Sequence, residues 1–285
     1  SRMCIRNSQW DMHLTDITEL KKFEHALQFR ANHHPQTGLL NRYELEKTVT
    51  QLCLTKKKFT FGLIEIRSFS QLISGQGVTV ASTVVKEVAT SLVDILSIID
   101  KSGCRVFHVG EKSFALVCTR DFSDTQIDSL VQQIDKKIGL TTFHSQYQVR
   151  LDFGFANYPQ HGNDYTQLHQ NSLAALDKSA RSEDKRHVLF NLQLGEKLRY
   201  EQQLIEDMRI AIEMAEFELY FQPQMVLSNG RVIGAEALIR WQRKGQWIDP
   251  SEFIPLAERS GLIDTLGDWI LHTACQKAQN LVSLG

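Results

Sequence analysis

The chain has 285 residues, more than the roughly 100–200 of a usual single domain, so two domains are expected. Hydrophobic residues make up 42% and charged residues 23%, a composition typical of a soluble globular protein. The 32 basic and 33 acidic residues give a net charge of −1, which favours neither a nucleic-acid nor a membrane-surface partner. No apolar run reaches ~18 residues and no signal-peptide pattern is present, so the sequence predicts a cytoplasmic chain without a membrane segment.

Five cysteines are scattered along the chain, and none forms a CxxC pair with another. An odd number at such spacing predicts neither a disulfide framework nor a zinc site, and it favours a reducing cytoplasm. The cysteines are Cys4, Cys53, Cys104, Cys118 and Cys275.

The first predicted elements are the end of a strand at residues 10–17 and a short helix from residue 18 to about residue 33. Apolar residues recur in the helix every three or four positions, and Pro35 ends it. A helix this short is not stable alone, so we expect it to pack on a neighbour or to pair in a dimer. Its apolar positions are Leu20, Phe23, Leu27 and Ala31.

The next part of the chain, between residues 59 and 155, alternates strands and helices. Apolar runs predict three strands, with a tight turn at Gly110-Glu111 between the second and the third, and alternating apolar residues predict a half-buried fourth strand. Apolar stripes predict two helices. The order β-α-β-β-α-β is that of the mixed α/β, ferredoxin-like fold, in which two helices pack on one sheet. The predicted strands are 59–66, 105–109, 113–118 and 149–155, and the helices are 84–99 and 127–138.

The polar stretch at residues 182–197 predicts a domain boundary, and an amphipathic helix follows it. Strands at 217–222 and 231–241 are then predicted on either side of the turn signal Asn229-Gly230. The sequence Asp249-Pro250-Ser251-Glu252 combines an N-cap, a proline at the first helical position and a glutamate two residues later, so a helix starts there. One more helix runs to the end of the chain.

The sequence HHPQTGLLNR at residues 33–42 resembles the opening motif HDxLTGLxNR of GGDEF diguanylate cyclase domains. Its position before the β-α-β-β-α-β unit is also that of the family. The sequence DITELKKFE at residues 16–24 is similar to the last strand and exit helix of a PAS sensor domain. The resemblance implies a PAS-like tail and linker helix at 1–33, a GGDEF domain at 34–192 and a further domain from 193 to 285.

A cyclase of this family needs carboxylates for two metal ions, and the resemblance implies that this chain lacks most of them. The GGDEF signature stands here as Gly110-Glu111-Lys112-Ser113-Phe114, in which only Gly110 and Phe114 match. Lys112 brings a positive charge where the family has an acid. Glu65 aligns with the first metal aspartate and can still bind a cation. We expect a degenerate GGDEF domain without cyclase activity that is kept for regulation or dimerisation, with GTP binding as an alternative regulatory input.

Three later segments, FELYFQPQMVL, GAEALIRW and DPSEFIPLAERSGLIDTLGDWIL, resemble the N-terminal part of EAL cyclic di-GMP phosphodiesterases. The resemblance implies a TIM-barrel-like fold of ~250 residues, of which this chain covers about the first two βα units. Glu236 is the implied catalytic carboxylate and ligand of Mg²⁺ or Mn²⁺, and Arg240 is the implied phosphate-binding residue. Gln222, Leu238 and Glu258 are implied to line the ligand.

The resemblance therefore implies a bacterial cyclic di-GMP signalling protein in which an inactive GGDEF domain regulates an EAL domain. In the intact protein we expect hydrolysis of cyclic di-GMP to pGpG, whereas this chain, with an incomplete set of carboxylates, should be inactive and homodimeric. The alternatives are a non-catalytic cyclic di-GMP receptor and a dimerising signal-relay module. The presence of Glu236 and Arg240 favours the enzyme, because a receptor does not need a metal ligand.

Overall fold

The structure, a computed structural model, describes residues 2–6, 9–13, 27–99, 103–140, 149–182, 184–214 and 216–283. The chain forms two compact units, Ser1–Leu194 and Gly195–Gly285. Within the described part, none of the helices combines the length and the apolar character that a membrane crossing requires.

The first unit begins with a hairpin of two short strands, β1 (Arg2–Arg6) and β2 (Gln9–His13). The strand predicted at residues 10–17 is therefore present as far as His13. Residues 27–32 are helical, as expected for the end of the predicted linker helix. Residues 14–26, which contain most of that helix, lie outside the described residues.

A five-stranded sheet with the order β4-β5-β3-β6-β7 forms the centre of the first unit. The first four strands pair antiparallel and β7 joins β6 in parallel, so the predicted ferredoxin-like order is confirmed. Strands β3 and β6 are buried at almost every position, so the strand expected at 149–155 to be half-buried is instead buried on both faces, its polar Asp152 and Asn157 included. The strands are β3 (Phe59–Ile66), β4 (Cys104–His108), β5 (Ser113–Cys118), β6 (Leu151–Tyr158) and β7 (His187–Leu189).

Helices cover both faces of this sheet. On one face, α2, α3 and α4 build the main hydrophobic core with residues such as Ile64, Leu116 and Phe153. On the other face, α5 lies directly on β3 and β6, and α1 packs against α5. The hydrophobic pattern of the sequence did not predict α1, α2, α5 or β7. The helices are α1 (Arg42–Leu54), α2 (Phe69–Gln76), α3 (Val78–Ile99), α4 (Asp124–Leu140) and α5 (Tyr165–Ala180).

The cysteine spacing predicted no disulfide framework and missed one bond, which joins Cys104 and Cys118. They face each other across the antiparallel pair β4–β5, with Cα atoms 4.0 Å apart. The backbone bond from Thr119 N to Gly103 O flanks them, so they form a non-hydrogen-bonded pair, in which side chains lie closest. Sequence spacing alone does not show strand register, which is what brings the two thiols together.

The second unit contains a three-stranded antiparallel sheet with the order β10-β9-β8. Helix α6 begins at Leu192, because the side chain of Asn191 accepts a hydrogen bond from Leu194 N at 2.8 Å. The polar stretch up to residue 197 is therefore partly helical. The elements are α6 (Leu192–Glu213), β8 (Phe217–Met225), β9 (Val232–Arg243), β10 (Gln246–Ile248), α7 (Pro250–Ser260) and α8 (Ile263–Ser283).

The two local signals predicted for this unit are confirmed. Gly230 has a positive φ of 69° in the turn between β8 and β9, and the Asn229 side chain accepts a hydrogen bond from Arg231 N at 3.0 Å. Asp249 caps α7 by accepting from Ser251 N at 2.8 Å, and Gly261 ends the helix in the left-handed conformation. These signals set where the hairpin turns and where α7 starts, beside the strand that carries Arg240.

Candidate functional site

The first candidate site is the hairpin between β4 and β5. Gly110 and Ser113 close it through backbone hydrogen bonds in both directions, at 3.2 and 3.3 Å. Glu111 is exposed at the tip, whereas Phe114 is fully buried in the core. Phe114 therefore serves packing, and the polar residues of the hairpin are the ones available to a ligand.

At the base of this hairpin, the side chains of Lys112 and Glu65 form an ion pair. Nζ of Lys112 lies 3.1 Å from Oε1 of Glu65. The hydroxyl of Ser113, directly opposite Glu65 in the sheet, donates to the same oxygen at 3.3 Å. The carboxylate that the sequence offers for a cation is thus already paired with an ammonium group of the chain itself.

A small cavity of about 160 Å³ lies next to the hairpin, on the side of the sheet covered by α1 and α5. Ligand pockets usually measure ~300–1,000 Å³, so this cavity is too small to enclose a nucleoside triphosphate. Its polar lining consists of Arg42, Glu65, Ser113 and His169 together with the backbone of Gly110.

A histidine pair that pattern reasoning missed lies behind the hairpin. The rings of His34 and His108 are 3.6 Å apart between centroids, and Oγ1 of Thr37 lies 2.9 Å from Nδ1 of His108. His108 is fully buried, and its Nε2 has no hydrogen-bond partner among the described residues. Burial, followed by the nearby His34, lowers the pKa of His108 to about 4. His108 is therefore a neutral core residue rather than a cation that could bind phosphate.

The second candidate site is the face of the β8–β10 sheet that is turned away from its hydrophobic core, which we call the open face. Strand pairing places Gln222 directly opposite Glu236, and Tyr220 opposite Leu238. Arg240 follows on the same side of β9, since alternate residues of a strand share a face. Gln222 and Glu236 are exposed, and Leu238 and Arg240 are half-buried. Four of the five residues predicted to bind the ligand therefore lie on one surface.

Arg240 lies at one end of the open face, beside a cavity of about 710 Å³. Its guanidinium carbon is 5.7 Å from the centre of the Tyr220 ring, and its Nη1 donates to Ile239 O at 2.8 Å. The hydrogen bonds from Ser251 and the charge of Arg240 lower the pKa of Asp249, so this carboxylate is ionised at neutral pH. The cavity is lined by Tyr220, Arg240, Trp247, Ile248, Asp249, Pro250 and Ser251.

Glu258 does not join the other four residues. It lies on α7, which packs through Phe253, Leu256 and Ala257 onto the opposite, buried face of the sheet. The Glu258 side chain is exposed, and its carboxylate makes no hydrogen bond or ion pair with the described residues.

The described residues contain no cluster of three or more His, Cys, Asp or Glu side chains suited to a metal ion. Glu236 still fits part of such a site, because it is an exposed carboxylate with the amide of Gln222 on the neighbouring strand. Carboxylate and amide oxygens are donors that Mg²⁺ accepts, but one carboxylate holds this ion weakly.

Comparison with known families agrees with this domain order. The family described as "Diguanylate cyclase, GGDEF domain" matches residues 31–186, and the family described as "EAL domain" matches residues 205–284. The chain belongs to the GGDEF family, and its second unit contains part of an EAL domain. The chain therefore contains both domain types in the order GGDEF then EAL, the second of them in part.

Two curated relatives come from Pseudomonas aeruginosa. The chain is 27% identical over 270 residues to the bifunctional diguanylate cyclase/cyclic di-GMP phosphodiesterase MucR, covering 91% of this chain and 38% of the relative. It is 27% identical over 272 residues to the cyclic di-GMP phosphodiesterase NbdA, covering 92% of this chain and 34% of the relative. The chain thus spans between a third and two fifths of the length of these relatives.

Two solved structures share the fold. The S helix-GGDEF-EAL part of Vibrio cholerae LapD, bound to cyclic di-GMP, has a TM-score of 0.60 and 14% identity, covering 93% of this chain and 62% of that chain. The coiled coil and GGDEF domain of DgcB from Caulobacter crescentus, also in complex with cyclic di-GMP, has a TM-score of 0.51 and 15% identity, covering 61% of this chain and 93% of that chain.

Proposed function

We propose that the intact protein is a cytoplasmic cyclic di-GMP phosphodiesterase whose GGDEF domain is regulatory and whose EAL domain cleaves cyclic di-GMP to pGpG. The observation that carries this proposal is the arrangement of Glu236, Gln222 and Arg240 on one open face of the second unit. Glu236 offers a carboxylate oxygen to a hard metal ion such as Mg²⁺, and the planar guanidinium group of Arg240 can bind two oxygens of a phosphate.

The GGDEF domain is proposed to be inactive because of the ion pair at its hairpin. Phosphoryl transfer to form cyclic di-GMP needs cations that are held by several carboxylates. Here Lys112 neutralises Glu65, and Ser113 contributes a hydroxyl rather than a second acid. The positive charge of Lys112 would repel a divalent metal ion at this position. The neighbouring cavity is also too small for GTP, which argues against GTP as a regulator at that position.

In the EAL domain, Glu236 is proposed to bind Mg²⁺ or Mn²⁺ together with carboxylates from further strands of the barrel. The metal, when bound, supplies an activated water for attack on the phosphodiester. Arg240 is proposed to hold a phosphate oxygen and so to orient the substrate. Glu258, on the other side of the sheet, is not expected to contact the substrate directly.

The test is an assay of the intact protein with cyclic di-GMP and Mg²⁺ or Mn²⁺, followed by chromatography of the products. We expect pGpG from the wild type, a loss of turnover of at least 100-fold in Glu236→Ala, and mainly weaker substrate binding in Arg240→Ala. The same protein with GTP and Mg²⁺ should form no cyclic di-GMP. Formation of cyclic di-GMP above a metal-free control would contradict the regulatory role of the GGDEF domain.

The second candidate function is a cyclic di-GMP receptor without hydrolysis. The open face with Arg240 and its neighbouring cavity would serve binding without hydrolysis equally well. The assay above separates the two functions, because a receptor binds cyclic di-GMP tightly and leaves it intact with either metal. In that case the catalytic role assigned to Glu236 is wrong.

A further inference from the structure

The disulfide between Cys104 and Cys118 lies at the edge of the sheet in the first unit, because β4 is the outermost strand on that side. Its two halves differ in their surroundings. Cys118 is fully buried in the main hydrophobic core, whereas Cys104 is half-buried and packs against the margin of that core. The bond therefore has one partner in the interior and one partner near the surface.

A cavity of about 360 Å³ that opens to solvent lies beside Cys104. Its walls come from the start of β4, from Val93 and Leu96 of α3, and from the segment 33–40 that enters the domain. Small-molecule sites measure ~300–1,000 Å³, so a small thiol or disulfide fits into this cavity. It can thus approach Cys104 while the sheet remains folded, whereas Cys118 lies behind Cys104 in the core.

Strand β4 connects this bond to the part of the chain that enters the GGDEF domain. Leu40 bridges Phe107, and its carbonyl oxygen accepts a hydrogen bond from His108 N at 2.8 Å. The disulfide joins residues 14 positions apart and encloses the whole β4–β5 hairpin in one loop. Opening the bond therefore removes the covalent tie of an edge strand on which the entering segment docks.

We propose that Cys104 and Cys118 form a reversible thiol–disulfide exchange site for a small thiol of the glutathione class, and that oxidation fastens β4 to β5. In the cytoplasm, disulfides are usually transient and serve catalysis or redox sensing. The inference rests on the cytoplasmic location in the proposed function, but not on the proposed hydrolysis of cyclic di-GMP.

The exchange proceeds in two steps, which together transfer two electrons. A small thiolate in the cavity attacks Sγ of Cys104, the S–S bond breaks, and Sγ of Cys118 leaves and takes up a proton. A second small thiolate attacks the sulfur of the attached thiol, and Sγ of Cys104 leaves and takes up a proton. Two small thiols thus become one small disulfide while the protein gains two thiols. In the reverse direction the small disulfide is the oxidant.

The first experiment incubates the folded intact protein in mixtures of reduced and oxidised glutathione at neutral pH. Alkylation of free thiols and peptide mass spectrometry then measure the bonded fraction of Cys104 and Cys118. We expect this fraction to fall as the share of reduced glutathione rises, and to reach the same value from an oxidised and from a reduced starting sample. A bond that reduced glutathione leaves intact, or a thiol pair that oxidised glutathione does not close, would overturn the proposal.

Two single variants test the route through the cavity. With oxidised glutathione, Cys118→Ser should collect glutathione on Cys104 at least roughly 10-fold faster than Cys104→Ser collects it on Cys118, because reactivity follows exposure. The free cysteines Cys53 and Cys275 are present in both variants and serve as internal references in the peptide map. Equal rates at Cys104 and Cys118 would contradict entry beside Cys104.

Hydrogen exchange measures the effect on β4. Reduction of the wild type should speed amide exchange in Cys104–His108 by at least roughly 10-fold and lower the midpoint of thermal unfolding of the first unit by roughly 5–10 °C. Strand β6, in the interior of the same sheet, is the control and should exchange at the same rate in both states. Identical exchange of β4 in both states would disprove its fastening by the disulfide. Because these measurements contain no cyclic di-GMP, their failure is separate from a failure of the hydrolysis assay.

Discussion

At the residue scale, the ion pair between Lys112 and Glu65 places a positive charge beside the carboxylate at the base of the hairpin. The hairpin closes through Gly110 and Ser113, and Phe114 remains in the core. An ammonium group lies 3.1 Å from the carboxylate at the base, and a hydroxyl bonds to the same oxygen. The sequence predicted the loss of the acids, but not that Lys112 would pair with Glu65, because that contact depends on strand register.

Replacing the pair of residues next to Glu65 should create a cation site. In the double variant Lys112→Asp/Ser113→Glu, three carboxylates converge at the base of the hairpin, so we expect Mn²⁺ to bind at least 10-fold more tightly than in the wild type. Electron paramagnetic resonance of free Mn²⁺ measures this affinity. Lys112→Asp alone is the control and should give a smaller gain. Equal Mn²⁺ affinity in the double variant and the wild type would disprove the role of Lys112.

The buried His108 should make stability depend on pH. Its pKa is lowered from 6.5 to about 4 in the folded protein, whereas the unfolded chain takes up a proton below about pH 6.5. The contribution of His108 to stability is therefore complete above about pH 6.5 and falls as the pH drops to 4, by about 3 kcal/mol. Urea unfolding at several pH values measures this slope.

The controls for this pH dependence are two histidine variants. His108→Gln should have a smaller slope between pH 6.5 and 4, because its side chain does not titrate; the remaining slope belongs to His34, His161 and His169, whose pKa values burial also lowers. His272→Gln removes an exposed histidine of the second unit and should keep the slope of the wild type. An unchanged slope in His108→Gln would show that other groups cause it.

At the scale of elements, the strands of the first unit were easier to predict than its helices. The run at 59–66 has the bounds of β3, because a central strand is apolar at almost every position. Helices α1 and α5 lack so clear a stripe, and their position follows from packing on the sheet rather than from local pattern. On the open face, the two-residue repeat of strand side chains was enough to place Gln222, Glu236 and Arg240 on one surface. The position of Trp247 beside them depends on the three-residue strand β10, which is too short to predict from sequence.

The contact between α5 and β6 depends on the glycine at position 154. A Cβ atom there would overlap the backbone of Ser172 and Leu176, which cannot move without shifting the helix. Gly154→Ala should therefore lower the free energy of unfolding by roughly 2–4 kcal/mol, comparable to overpacking of a core. Gly75→Ala, on α2 with open space around it, should change the free energy by less than about 1 kcal/mol. Similar stabilities of both variants in thermal unfolding would contradict the close packing.

At the scale of the whole molecule, the two families were predictable from motifs, whereas the disulfide and the histidine pair were not. Motifs such as ExLxR keep their spacing in sequence, so they are visible without a structure. Cys104 meets Cys118, and His34 meets His108, only after the sheet has formed. Association between copies belongs to the same scale, because it depends on which apolar residues the fold leaves exposed.

We predict that the protein forms a homodimer through the helix that precedes the GGDEF domain. In its described part, residues 27–32, Leu27 of the predicted apolar stripe is 51% exposed, as expected of a side chain that packs on a partner helix. Sedimentation equilibrium at tens of micromolar should give twice the mass of the chain, and Leu27→Asp should shift the protein to a monomer. Leu54→Asp alters a more exposed leucine at the end of α1 and should leave the dimer intact. A wild-type monomer at the highest concentration, or a dimer that Leu27→Asp does not weaken, would rule out association through this helix.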